Sequence, residues 1–315
     1  MLRKTRNRIS AVLAAASVCC FTASVLSLKP MMTKGVEVHN DYLNLKVNDS
    51  KGTTDYAGYV LRRKSGDPLT YAQYCTSFAE ISVNGNVKLY SEGDSVKKPY
   101  TADDGSVITI QDFGGVEIRQ KLAFAEGNTS NYDMLGIEYT IENKTDEDVS
   151  VTVRAVVDPT IADSETDPVM VGDDSYTEEK TFRGENVPKE WKIKNSKGEI
   201  AAYGITTLGS NAPDSFDIAD WADLYNDRLS YKAGGSVSDN AVAVTWSDKT
   251  VKAGEKYSVG TKYGLYSETA GSGSNKAQSD SPKTGDKGVF AFAGMGLFAA
   301  AAAVVFRKRR AEDDE

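Results

Sequence analysis

Met134-Leu-Gly-Ile-Glu-Tyr-Thr-Ile-Glu142, a turn at Asn143-Lys-Thr-Asp146, and Val149-Ser-Val-Thr-Val-Arg-Ala-Val-Val157 decide the fold of this chain of 315 residues. Apolar and polar residues alternate through both runs. Successive side chains on a strand point to opposite faces, so a period of two marks strands with one face in a core.

The same pattern recurs to either side. Tyr42-Leu-Asn-Leu-Lys-Val puts Leu43, Leu45 and Val47 on one face. Glu80-Ile-Ser-Val and Val87-Lys-Leu-Tyr90 flank Asn84-Gly85-Asn86, and an Asn-Gly pair between two such runs predicts a hairpin. Val107-Ile-Thr-Ile leads through Gly114-Gly115 into Val116-Glu-Ile-Arg-Gln-Lys-Leu-Ala-Phe. Trp191-Lys-Ile-Lys, Ala201-Ala-Tyr-Gly-Ile-Thr, Ala241-Val-Ala-Val-Thr-Trp246 and Tyr257-Ser-Val-Gly-Thr-Lys-Tyr-Gly-Leu-Tyr266 continue it. Helical periodicity is nearly absent, apart from a short helical turn expected around Asp217–Leu224. Many strands at short spacing, punctuated by Gly and Asn, predict an all-β protein built as one large antiparallel β-sandwich over residues 29–270. A Gly/Ser-rich stretch over 271–280 then reads as a flexible linker.

Both ends carry address signals. Arg3, Lys4, Arg6 and Arg8 precede 20 uncharged residues, Ile9 to Leu28, so residues 1–28 read as a secretory signal handled by the Sec translocon. An uncleaved signal anchor is the alternative; Cys19 and Cys20 invite a lipoprotein reading, but Ser17-Val18 makes a poor lipobox. At the other end, Ser281-Pro282-Lys283-Thr284-Gly285 precedes 18 uncharged residues, Val289 to Phe306, and then Arg307-Lys308-Arg309-Arg310. An apolar run of that length is at the lower limit for a transmembrane helix, and the four basic residues should stay cytoplasmic and halt export.

This tail, residues 281–315, resembles the cell-wall sorting signal of Gram-positive surface proteins, with Ser281 where Leu is usual. The resemblance implies cleavage between Thr284 and Gly285 by a sortase and covalent transfer of Thr284 to peptidoglycan, hence a secreted protein anchored to the wall. A plain, uncut membrane anchor is the alternative. Within the folded region, four further blocks resemble the β-supersandwich domains of Gram-positive surface proteins, akin to galactose-mutarotase-like folds. They are Val116-Glu-Ile-Arg-Gln-Lys-Leu, Tyr132-Asp-Met-Leu-Gly-Ile-Glu-Tyr-Thr-Ile-Glu-Asn, Val157-Asp-Pro-Thr-Ile-Ala-Asp and Lys252-Ala-Gly-Glu-Lys-Tyr-Ser-Val-Gly-Thr-Lys-Tyr-Gly-Leu. Such domains accompany varied glycan-active and adhesive proteins, so the resemblance implies fold more than function.

Composition excludes several chemistries. Without the signal and everything after Thr284, 28 basic residues face 40 acidic ones, a net −12 that argues against nucleic acid as a partner. Only Cys75 lies outside the signal, so no intramolecular disulfide is expected; it reads as a buried small hydrophobe. His39 is the only histidine and reads as a surface or strand-edge residue, which leaves little room for a Ser-His-Asp triad or a histidine zinc site.

Three features bear on binding. Asp163, Glu165 and Asp167 have the alternating spacing of a calcium loop, although Pro168 stands where such a loop needs Gly; a solvated acidic loop is the alternative. Trp191, and Trp221 with Tyr225 in Asp-Trp-Ala-Asp-Leu-Tyr, are candidates for a face that stacks on sugar rings, or else lids over the core. Trp246 shares a face with Val242 and Val244 and reads as core. Asp133, Glu138 and Asp158 lie near predicted strands, but among so many acids a pair suited to glycoside hydrolysis discriminates nothing. The expected function is non-catalytic binding of an extracellular glycan or protein, with a surface glycan-processing enzyme or a passive wall component as rivals.

Overall fold

A computed structural model describes residues 35–161 and 164–267. Among these residues the chain forms 18 strands, one α-helix and three short 3-10 turns, and every strand pairing is antiparallel. The fold is therefore all-β. The predicted signal (1–28), linker (271–280) and sorting signal with its apolar span lie outside the described residues. Among the described residues no helix is long and apolar enough to cross a membrane.

The strands make three sheets. The small one is β1 (Val36–His39), β2 (Leu43–Val47) and β3 (Tyr59–Arg63). A six-stranded sheet takes β4 (Phe78–Val83), β5 (Asn86–Leu89), β10 (Val149–Val157), β13 (Lys180–Arg183), β16 (Ser215–Asp220) and β17 (Asn240–Val251), in the order β13-β16-β17-β10-β4-β5. The largest sheet takes β6 (Asp94–Thr101), β7 (Val107–Asp112), β8 (Val116–Ala125), β9 (Met134–Asn143), β11 (Val169–Val171), β12 (Asp174–Tyr176), β14 (Glu190–Lys194), β15 (Ile200–Ile205) and β18 (Lys256–Gly264). Its order is β12-β11-β14-β15-β18-β9-β8-β7-β6.

Alternation decides which faces meet. Val151, Val153, Ala155 and Val157 of β10 and Val242, Val244 and Trp246 of β17 share one hydrophobic core with Leu135, Ile137, Tyr139 and Ile141 of β9 and with Val259 and Tyr263 of β18. Leu43, Leu45 and Val47 of β2 join the same core from the small sheet. The two large sheets thus pack as a β-sandwich, each burying its inner face on the other.

The Asn143 turn does not make a hairpin. It carries the chain from β9 in one large sheet to β10 in the other. Asn143 is fully buried; its amide donates to the carbonyls of Glu147 (2.7 Å) and Val251 (3.0 Å), and its Oδ1 accepts from the Thr145 N–H (3.0 Å) and hydroxyl (2.7 Å). The β17–β18 connection is a second such corner, and the two are stapled together: Gly254 N–H donates to the Asn143 carbonyl (2.9 Å) and Asn143 N–H to the Glu255 carbonyl (3.1 Å). Gly254 takes φ +74° there, a conformation open to glycine at little cost.

The expected helical turn at Asp217–Leu224 starts late. Asp217 continues β16, opposite Ala243, and its Oδ1 accepts from the Thr181 hydroxyl (2.6 Å). The helix α1 (Trp221–Asp227) begins only after Asp220, whose carboxylate caps it by accepting from the Ala222 N–H (3.1 Å). This helix covers part of the outer face of the six-stranded sheet, where Leu224 packs with Phe78, Val156, Ala241, Ala243 and Tyr231.

Candidate functional site

Two hollows open around β1. This strand pairs only with β2 among the described residues, and its alternation sends Val36 and Val38 toward the core and Glu37 and His39 outward. Asn40 ends it with a side-chain turn: its Oδ1 accepts from the N–H groups of Tyr42 (2.9 Å) and Leu43 (2.8 Å). Its amide donates to the Tyr132 carbonyl (2.7 Å), and the Tyr42 hydroxyl donates to Asn131 Oδ1 (3.1 Å). These bonds tie the two segments together, with Tyr42 37% and Tyr132 47% exposed.

Tyr42 and Tyr132, with Asp104–Ser106 after β6 and Ala123 and Phe124 on β8, line a cleft of about 680 Å³ that also meets His39 and Asp41. That volume is in the range of small-molecule sites. Asp104 accepts from Lys121 Nζ (2.7 Å) and from the hydroxyl (2.5 Å) and N–H (3.1 Å) of Ser106, and these bonds, Lys121 first, hold its carboxyl well below the usual range. It is therefore a fixed acceptor and a poor proton donor. On the other flank of β1 is a second hollow of about 360 Å³, bounded by Asn44, Lys46 and Arg62. The two share Glu37, Val38 and His39, so both border β1.

The sequence-predicted residues do not assemble one site. Trp191 is a correction: it is 2% exposed and belongs to the core. The alternation of β14 turns Trp191 and Ile193 inward, and the indole stacks on Tyr263 (5.4 Å, 9°). It fits because Gly204, its cross-strand partner, has no side chain; a Cβ there would fall inside the indole. Trp221 and Tyr225 are half-buried on α1 and stack on each other (5.0 Å, 13°). Both meet Phe78 edge-on, and Trp221 Nε1 donates to the Thr76 carbonyl (3.0 Å), so the pair roofs the outer face of the six-stranded sheet. Trp246 is fully buried, as its strand face predicts, and Cys75 is buried with its thiol pushed up to about 12, chiefly by burial. His39 is exposed on an edge strand.

Asp163 lies outside the described residues. Glu165 is half-buried and Asp167 buried; among the described residues no three His, Cys, Asp or Glu side chains form a metal-binding group. One buried ion pair stands apart from the cleft. Glu80, wholly buried on β4, meets Arg154 of β10 at 3.4 Å, and burial pushes its carboxyl up to about 7 against the opposing pull of Arg154 and Arg228.

Sequence reasoning passed over Tyr42, Asn40 and Tyr132. Tyr42 was legible in principle, since it falls on the face opposite Leu43, Leu45 and Val47. Tyr132 lies in an irregular stretch where no period marks a face.

No protein-family model matches the chain. No curated protein matches it. Among solved structures it is similar to a galactose mutarotase related enzyme from Lactobacillus acidophilus (TM-score 0.47, 9% identity, covering 75% of this chain and 99% of that one). It is also similar to a galactose mutarotase-like protein from Lactobacillus casei (TM-score 0.39, 11% identity, 74% and 100%). A third is heparan sulfate lyase HepC from Pedobacter heparinus (TM-score 0.42, 8% identity, 71% and 33%). These likenesses carry no residue role, ligand or reaction to this chain.

Proposed function

We propose that this is an exported surface protein, attached to the cell wall through Thr284 after a sortase cuts before Gly285, and that it binds a glycan non-catalytically in the cleft beside β1. The supporting observation is that two exposed tyrosines, Tyr42 and Tyr132, line one hollow and that hydrogen bonds tie their segments, distant in sequence, together. Tyrosine offers a flat apolar face for a sugar ring at little entropic cost, with a polar tip for its hydroxyls. His39, Asp41 and Asp104 add donors and acceptors around that face. Asp104, held ionised by Lys121, is a fixed acceptor for sugar hydroxyls.

The test is a glycan array probed with the full chain in detergent. We expect binding to at least one glycan, weakened about fivefold by Tyr132→Ala or Tyr42→Ala, since stacking on such a ring is worth on the order of 1 kcal/mol. Trp221→Ala should keep it. Silence on every glycan, with capture of a host protein through the same tyrosines, would put protein adhesion in its place; turnover of any bound glycan would reinstate an enzyme.

A further inference from the structure

We propose that β1 is a docking edge for a second copy of this chain: two β1 strands pair antiparallel about a two-fold axis at Val38 and join their small sheets into one. Register shows which backbone groups are available. Asn40 N–H donates to the Leu43 carbonyl (3.0 Å), so the hydrogen-bonded pairs that follow along the ladder are Val38–Leu45 and Val36–Val47. The far side of β2 agrees. The Tyr42 carbonyl accepts from Lys64 N–H (2.7 Å) and Asn48 N–H donates to the Gly58 carbonyl (2.9 Å), so even-numbered residues of β2 face β3 and odd-numbered ones face β1. Glu37 and His39 therefore aim their N–H and C=O groups away from β2, and β1 has no other neighbouring strand among the described residues. Two donors and two acceptors line that edge. Both hollows border Glu37, Val38 and His39, so open space lies beside the strand.

The other sheet edges are guarded. The free side of β3 is covered by the segment after it: Leu69 N–H donates to the Leu61 carbonyl (2.9 Å), and Leu61 N–H donates to the Thr70 hydroxyl (2.9 Å). β6 carries Lys97-Lys98-Pro99 and two register shifts. β5 carries Lys88, β13 carries Lys180 and Arg183, and β12 is three residues long. Lysines, prolines, bulges and short length are what keep sheet edges apart. β1, Val36-Glu37-Val38-His39, has no lysine, no proline and no register shift.

The residues of β1 select both the occupant and its register. An axis at Glu37 would set carboxylate against carboxylate, and an axis at His39 would set imidazole against imidazole. An axis at Val38 sets Glu37 opposite His39 of the second copy, twice. Opposite partners of this kind stabilise an antiparallel pair, whereas like charges oppose it. The imidazole has an N–H for that carboxylate in either protonation state. Glu37 already meets Lys46 at 3.3 Å, but its side chain keeps 68% exposure, and His39 is exposed on the same face. Each Glu37–His39 pair exchanges two backbone hydrogen bonds. The two Val38 residues then form the non-hydrogen-bonded pair at the axis, where Cα atoms come within about 4.5 Å and side chains are closest. Val38 is half-buried, so this contact removes further apolar surface from water. The pairing goes beyond glycan binding and needs none of Tyr42, Tyr132 or Asp104.

The experiment follows the full chain in detergent by sedimentation equilibrium across the micromolar range. The wild type should form dimers. Glu37→Pro deletes only an N–H that faces away from β2, so it should keep the melting curve and lose the dimer. His39→Glu sets Glu against Glu twice and should weaken the dimer about tenfold. Glu37→Lys should weaken it as well. An equimolar mixture of these last two variants sets Glu opposite His and Glu opposite Lys, and should pair again. Val38→Cys, in a background carrying Cys19→Ser and Cys20→Ser, should oxidise to a covalent dimer, because that Cα separation suits a disulfide; the background alone should not. Monomers at every concentration, a dimer that survives Glu37→Pro, or a mixture that fails to pair would overturn the proposal. A surviving dimer would place the association elsewhere, such as the apolar tail.

Discussion

Replacing Trp191 tests the reassignment of that indole from ligand face to core. The side chain is 2% exposed, stacks on Tyr263 at 5.4 Å and tilts against Phe216 at 6.0 Å. Truncating a buried tryptophan to alanine typically costs about 3–5 kcal/mol. For a domain of this size each kcal/mol is worth about 2–4 °C, so Trp191→Ala should lower the midpoint by roughly 6–20 °C in calorimetry. Trp191→Phe behaves differently. It keeps a ring on Tyr263 and discards an indole N–H that has no partner among the described residues, so its cost should stay under about 1.5 kcal/mol. Gly204 supplies the cross-check. A Cβ at 204 would overlap the indole, so Gly204→Ala should destabilise strongly in the wild type and far less in the Trp191→Ala background. Such coupling between two touching residues is what a double-mutant cycle measures. Glycan binding per folded molecule should be unchanged throughout. The reasoning fails if Trp191→Ala melts within about 2 °C of the wild type, or abolishes ligand binding without loss of stability.

Three further outcomes follow from the same geometry. Glu80 holds its proton more tightly folded than unfolded, so from about pH 4.5 to 7 only the unfolded chain is ionised there, and stability should fall by up to about 3 kcal/mol as pH rises through that window. Arg154 and Arg228 oppose this rise and Asp217 adds to it; Glu80→Gln should flatten the fall, read from urea midpoints at pH 4.5 and 8. Asn143→Ala removes four buried or half-buried hydrogen bonds at the corner between sheets, and should cost about 2–4 kcal/mol by chemical denaturation. Mass spectrometry of protein recovered from cells should find chains ending at Thr284; recovery of chains still carrying Phe306 and Glu315 would reduce the anchor to a membrane tether, and Thr284→Ala should abolish wall attachment.

Periodicity shows which way a side chain points along a strand, and it does so only where one face is wet. β8 and the latter part of β9 were legible for that reason, and β10 because its buried outer face still carries the polar Ser150, Thr152 and Arg154. β16 was not: Ser215-Phe-Asp-Ile-Ala-Asp220 is buried on both faces, one by the sandwich core and the other beneath α1, so its polar residues serve as ladder partners and a helix cap and leave no period to read. β6 was hidden for the opposite reason. Lys97-Lys98-Pro99 suits an edge strand whose register shifts twice, and its charges blur any alternation. The same limit explains the sites. Trp191 could have been placed inward by its alternation with Ile193, whereas Tyr132 could not be placed at all. The acids of the 163–167 stretch attracted notice because their spacing is local. The segments of Tyr42 and Tyr132 meet only because the Asn40 amide reaches the Tyr132 carbonyl and the Tyr42 hydroxyl reaches Asn131, and no local spacing announces contacts between parts of the chain so distant in sequence.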